Sequence, residues 1–477
     1  VSASGGSFSI AGVTTSIDVD ADVSVAGGSV SLSTDGAINL NAGDLIASGT
    51  GTISITADND TSGAGNVTIA AVGTNDDEKI RTGSGTITIG GKDVVVDDFG
   101  IISTGTVSIT ATGGVYSSSA ADTIADIEAG TLDVEGATVG QSGGNTLEFA
   151  ATTKMDVESA GAVNITSTTN LPLGKIEITG DGGANVDVDA TGNITDVDGT
   201  TADDIVNATN LTISATTGIG ATGKTGSIEF DATTLANITN TTSGGVYLNA
   251  KGTGGLTVTT LAANTAGDIE LYAEETIQVA SIAAANGNVL ISTSSAIDGI
   301  TDDATADISG SNITLSADAG GIGVTDILDI TSTGVFAADS SDGNGNIIID
   351  SIGAVSLGLL NAGSGNVTLD PSGAITDGNA GTNNITASVL TITGNQAVTD
   401  IETAVTTLAL TTASTSINET NAVDFAASTI SGNLELVTAG RITDSGTLAV
   451  SGTSSFTDTA NAGIDLGTLQ SDGAVTL

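Results

Sequence analysis

One short unit recurs along the chain: a glycine, a small polar residue, then apolar, polar, apolar. It reads GTISI from Gly51, GNVTI from Gly65, GTITI from Gly85, GTVSI from Gly105, GDIEL from Gly267, GNVLI from Gly287, GNIII from Gly345 and GNVTL from Gly365. Glycine punctuates the chain, and strict alternation behind it marks a half-buried strand. Gly65, Gly85 and Gly105 are spaced 20 residues apart, as are Gly267 and Gly287, and Gly345 and Gly365. A second signature, Ile-Thr-Asp behind a small residue, falls between such units at Gly192 to Asp196, Gly373 to Asp377 and Gly440 to Asp444. Two or three short strands in each period is the arithmetic of a solenoid. The expected fold is all-β, a right-handed parallel β-helix (β-solenoid) with coils of about 20 residues. Residues 1–477 then form a single continuous repeat region, read as a piece of a longer secreted chain because the pattern is under way at Val1 and still running at Leu477.

Stacked parallel coils also account for the composition. Coils repeat about every 4.8 Å, so each inward Val, Ile or Leu rests on its equivalent one coil away, and roughly 24 coils would extend on the order of 115 Å. Such thin layers want small residues: aromatic residues make up 2% of the chain, with no Trp and no Cys, against 66 glycines. Abundant Val, Ile and Thr, a positive mean hydropathy and only two prolines, Pro172 and Pro371, separate the chain from acidic disordered sequences. Glycine and asparagine are expected at corners that need positive φ. Asn66, Asn288, Asn346, Asn366 and Asn433, each directly after a glycine, are expected to form stacked side-chain ladders. The stretch from Ala120 to Gly144 departs from the period and is expected to be loop.

Several segments carry a resemblance. GTVSITATGG from Gly105 to Gly114, NITLSADAGGIG from Asn312 to Gly323, GNVTL from Gly365 and GAITD from Gly373 resemble the repeat regions of bacterial haemagglutinin-type exoproteins and giant β-strand-repeat adhesins, similar to the filamentous haemagglutinin family. The resemblance spans nearly the whole chain. It implies a stalk or adhesive filament displayed on the surface of a Gram-negative bacterium, extracellular and outer-membrane associated. A stalk of that kind would meet a host or cell-surface receptor or glycan. The open strand edges of the end coils leave an alternative, a self-assembling subunit of a surface layer, sheath or extracellular filament whose partners are other copies of the chain, end to end or side to side.

Charge narrows the partners further. With 56 acidic residues against eight basic ones, a net charge of −48 repels nucleic acid and anionic membrane surfaces, both of which are held through Lys and Arg. No run of 18 apolar residues occurs, so direct membrane insertion by a helix is not expected. Catalysis is not expected either. Polysaccharide lyases on parallel β-helices use a basic residue beside Ca²⁺-binding carboxylates, and pectinase-type hydrolases cluster Asp with His. This chain has no His, and Arg81 and Arg441 stand near opposite ends. Carboxylate neighbours at Asp76-Asp77-Glu78, Asp97-Asp98, Asp203-Asp204 and Asp302-Asp303 are of the kind that hydrolyses glycosides when suitably spaced. Among so many acids, they read as solvated loop charge.

No cofactor is required, and calcium is the one ion the spacing suggests. Asp187, Asp189, Thr191 and Asp198 fall at positions 1, 3, 5 and 12 of a Ca²⁺-loop pattern, with Gly192 at 6, Asn193 at 7 and apolar Ile194 at 8. The flanks read as strands rather than helices. The competing reading turns Val186 and Val188 inward and the acids outward, with Thr191-Gly192 as a corner. Asp18, Asp20 and Asp22 form a second acidic cluster. Twelve Asn-X-Ser/Thr sequons, among them Asn66, Asn193, Asn312 and Asn384, follow from the repeat itself, which puts Asn at a corner and Thr in the strand behind it.

Overall fold

The computed structural model describes residues 1–70, 78–119, 124–141, 145–263, 266–300 and 305–477. Among these residues there is no α-helix, and 54 strands pair in parallel from one coil to the next. The chain is a β-solenoid of about 21 turns with roughly 22 residues per turn. The turn is slightly longer than the commonest glycine spacing because corner loops add residues to some coils. The strands fall into two compact units, Val1–Asn249 and Ala250–Leu477.

Within each unit the apolar positions stack as alternation requires. In the first, Val30 lies opposite Ile53, Ile53 opposite Ile87, then Val107, Leu132 and Met155 follow in register. In the second, Ile269, Val289, Ile313, Phe336 and Leu357 form an equivalent row. From Val30 onward, all these side chains are buried. Each row removes apolar surface from water by contact with its own kind one strand spacing away, which is why β-branched and leucine side chains suffice without a thick aromatic interior.

Glycine spacing proved a mixed guide to the coils. Ile87 does pair with Val107, Ile269 with Val289 and Ile347 with Val367, each 20 residues on. The unit at Gly65 belongs to a different face: Val67 pairs with Ile38 and Val94, whereas Ile87 of the Gly85 unit pairs with Ile53. More than one face of the coil carries the same glycine–strand pattern, so the motif announces a strand without naming its face. The interval from Ala120 to Gly144 is also more regular than its composition suggests. It contains the strands Ile127–Gly136 and Thr138–Val139, the first alternating between Leu132 and Val134 inward and Asp133 and Glu135 outward.

Glycine and asparagine do take positive φ at corners such as Gly27, Gly49 and Asn344, whereas the glycines that head the repeat strands serve another purpose. Gly28, Gly51 and Gly85 do not have positive φ. They stack on one another, and a Cβ on any of them would overlap the carbonyl oxygen of the glycine one coil below, Gly6, Gly28 or Gly51 respectively. Close backbone approach excludes a side chain there. The asparagine rows appear in part, with Asn–Asn side-chain stacking at Asn288 and backbone-to-side-chain bonds at Asn346 and Asn433. Asn312 Nδ2 donates to Asn288 Oδ1 at 2.8 Å, Asn288 Nδ2 donates to Asp268 Oδ1 at 3.1 Å, and the Asn366 backbone N–H donates to Asn346 Oδ1 at 2.9 Å.

Candidate cation site

The Asp187 to Asp198 segment folds as strand, corner, strand. Asp187 and Asp189 lie on the outer face of the strand Ala184–Ala190, between inward Val186, Val188 and Ala190. Burial by neighbouring coils raises both carboxyls above their ordinary range. Thr191 is exposed at the corner, and the Asn193 backbone N–H donates to Asn170 Oδ1 at 3.1 Å. Asp198 lies beyond the next strand, Ile194–Asp196, where its Oδ1 accepts the Thr200 N–H at 2.8 Å. Hydrogen bonds from Thr200 hold its carboxyl below the usual range. The three acids of the calcium pattern, Asp187, Asp189 and Asp198, do not form a converging group among the described residues. Asp18, on the outer face of the strand Ser16–Val19, and Asp20 just beyond it are likewise exposed, accepting the side-chain amides of Asn39 and Asn41 from the following coil.

A different set of acids does converge. Among the described residues, one carboxylate oxygen each from Asp196, Asp204 and Glu229 lie within 4.8 Å of one another. The fold delivers them from three places. Asp196 ends the strand Ile194–Asp196; its Oδ1 accepts the backbone N–H groups of Asp198 and Gly199 at 2.8 and 3.0 Å, which sets the turn. Asp204 immediately precedes the strand Ile205–Ala215. Glu229 lies one coil later in the strand Ile228–Asn240, where Phe230 is the partner of Ile205. Asp204 Oδ2 accepts the Glu229 backbone N–H at 3.0 Å, and Asn249 Nδ2 donates to Glu229 Oε1 at 3.2 Å.

Asp204 and Glu229 are buried, 1% and 0% exposed. Asp204 is therefore not the solvated loop charge its sequence surroundings suggest. Burial pushes its carboxyl up to about 8, against the opposing bond from the Glu229 N–H, and pushes Glu229 up to about 7 against the Asn249 amide. Two oxygens of the group, Asp196 Oδ2 and Glu229 Oε2, are buried with no hydrogen-bond partner. Of the other paired acids, Asp97 and Asp98 are half-buried beyond the strand Val94–Val96, and Glu78 forms an ion pair with Arg81 at 2.6 Å. Asp76, Asp77, Asp302 and Asp303 lie outside the described residues.

The same ladder position recurs. Asp126 Oδ2 accepts the Glu148 N–H at 2.9 Å, Asp307 Oδ2 the Asp329 N–H at 3.0 Å, and Asn384 Oδ1 the Glu402 N–H at 2.8 Å. In all four coils an Asp or Asn stands directly before an isoleucine that opens a strand: Ile127, Ile205, Ile308 or Ile385. An acid follows one coil later. That signal, Asp/Asn-Ile at strand heads with Glu or Asp a coil on, is visible in the sequence once the register is known.

Comparison with known proteins adds a short match. Residues 412–477 match a family described as repeats of unknown function (DUF5649). No curated protein and no solved structure matches the chain. The match accords with a repeat protein and covers only the C-terminal coils.

Proposed function

We propose that this chain is a structural rod of a secreted or cell-surface bacterial protein, an adhesin-type stalk that holds a binding element away from the cell. The observation that carries the reading is the coil-to-coil ladder: within each unit the strand backbones pair in parallel and the same inward positions stack in register. Such an arrangement supplies stiffness and leaves few free strand edges for proteases along its flanks. The acidic exterior keeps copies soluble. With no histidine in the chain, and with Arg81 and Arg441 paired to Glu78 and Asp465, the reading is also non-enzymatic.

Negative-stain electron microscopy of the purified chain, with Ca²⁺ and with chelator, tests it. Separate elongated particles of one length are expected in both conditions. Filaments or sheets that dissolve in chelator would instead make the chain a self-assembling subunit of a surface layer, and compact globules would overturn the rod. For the adhesive part, beads coated with the chain alone are expected to stay unattached to glycan arrays, since a stalk serves a binding element it does not itself contain. Attachment would assign the receptor contact to these coils.

A further inference from the structure

Two coils of the chain share a corner that differs by one atom type at its centre. In the coil that ends in Glu402, Asn384 is 0% exposed and its side-chain nitrogen sits in a nest of oxygens. Nδ2 donates to Leu357 O at 2.7 Å, Asp377 Oδ1 at 3.0 Å, Asn379 Oδ1 at 3.1 Å and, more weakly, Gly358 O at 3.4 Å. The corner containing Asp204 shares most of these parts, with exposed Asp198 standing two residues after Asp196 where Asn379 follows Asp377. Leu173 is the register partner of Asp196 as Leu357 is of Asp377, and each leucine is followed by glycine. Asp196 and Asp377 cap their turns alike, each accepting backbone N–H groups two and three residues on. Asp204 and Asn384 both accept the backbone N–H of a glutamate one coil later.

At Asn384 the nest is satisfied by an amide N–H group. At Asp204 the equivalent atom is an oxygen, which as a carboxylate accepts but does not donate. When Asp204 is ionised the nest therefore lacks its donor, and in either state it gains a third converging acid. Glu229 Oε2, in a side chain with no solvent exposure, and Asp196 Oδ2 are left without partners. Buried acceptors crowded together without a positive partner are costly.

We infer that Asp196, Asp204 and Glu229 bind one divalent metal ion, which occupies the place that the Asn384 amide fills in the second unit. The backbone carbonyls of Leu173 and Gly174, equivalent to those of Leu357 and Gly358, stand as its further oxygen donors. An all-oxygen set without nitrogen or sulfur suits a hard cation. Burial of Asp204 and Glu229 leaves little room for retained water, which favours Ca²⁺ over the reluctantly dehydrated Mg²⁺. The site takes Asp196 from the Asp187 to Asp198 segment but none of that segment's calcium-pattern acids, Asp187, Asp189 and Asp198.

Calorimetric titration of the whole chain with CaCl₂, in a background of NaCl that screens diffuse binding, is expected to show one saturable site. Asp204→Asn copies the Asn384 corner and keeps the Glu229 N–H bond; it should weaken that site at least about tenfold. In chelator at alkaline pH, where all three acids are ionised, the same variant should melt higher than the parent, because the amide restores the missing donor. Glu229→Gln should weaken binding similarly, and Asp187→Asn with Asp189→Asn should leave it unchanged. Equal binding by the parent and Asp204→Asn would overturn the inference, as would loss of the site in the Asp187/Asp189 variant. A lower melting point of Asp204→Asn in chelator at that pH would do the same, since it would show that the carboxyl is better satisfied without an ion than the amide is.

Discussion

At the scale of single residues, the backbone leaves the least room. Gly85 lies so close to the Gly51 carbonyl that a methyl group has nowhere to go, and Thr82 Oγ1 hems it in from the side. Gly85→Ala is expected to destabilise the chain by about 2–3 kcal/mol through forced separation of two coils, whereas Gly27→Ala, at a position of positive φ with open space around it, should cost only about 1 kcal/mol in backbone strain. Urea unfolding followed by circular dichroism distinguishes the two. Lys79 is the other sharp case: it is 2% exposed, and its Nζ meets Asp44 Oδ1 at 3.1 Å. Asp44→Ala would strand a buried ammonium and is expected to cost about 3 kcal/mol, while exposed Arg441, paired with Asp465 at 2.9 Å, should be replaceable by Ala with a change of under about 1 kcal/mol. Neither contrast is legible from residue type alone. Composition identifies glycine and lysine; register decides which glycine faces a carbonyl and which lysine is enclosed.

At the scale of elements, four strands here open directly after an Asp or Asn. Asp126, Asp204, Asp307 and Asn384 each stand before an isoleucine and bind the backbone of the following coil, so a polar side chain adds a second tie at a corner where, at Asp126, Asp204 and Asn384, the backbone N–H already donates to the carbonyl of the same partner. A related device uses Glu419 at the end of the strand Thr415–Glu419: its Oε2 accepts Thr403 Oγ1–H at 2.7 Å and the Val405 N–H at 3.1 Å, and its Oε1 the Asn421 N–H at 3.0 Å. Burial nevertheless dominates these bonds and pushes its carboxyl up to about 7. The folded state therefore holds a proton that the unfolded chain releases near pH 4.5, and stability falls as pH rises between those two values. Glu419→Gln should remove on the order of 2–3 kcal/mol of that slope between pH 5 and pH 8. The measurement is the difference in unfolding free energy between parent and variant across that range; an unchanged slope would reject the assignment. The sequence placed strands and turns well at this level because alternation and glycine are local signals. It misjudged the interval from Ala120 to Gly144 and the Gly65 spacing because faces of one coil share a motif, and only pairing tells them apart.

Across the whole molecule, a charge of −48 acts on every coil at once. Self-repulsion weakens the folded state, so raising NaCl from 10 to 500 mM should lift the melting temperature by on the order of 5 °C, with Asp204→Asn responding as the parent does. A melting temperature insensitive to salt would mean that the acids are locally neutralised. The periodic sequence by itself determined the class of fold: alternating Val, Ile and Leu behind recurrent glycines satisfy stacked parallel strands, and the scarcity of aromatic residues suits thin coils. It also placed polar residues at a fixed corner of successive coils, where Asn312 meets Asn288 and Asn288 meets Asp268. Only the tertiary structure decided which acids meet. Asp196, Asp204 and Glu229 are separated along the chain by a corner loop and a full coil, and they converge because parallel stacking brings residues about one turn apart within a single strand spacing.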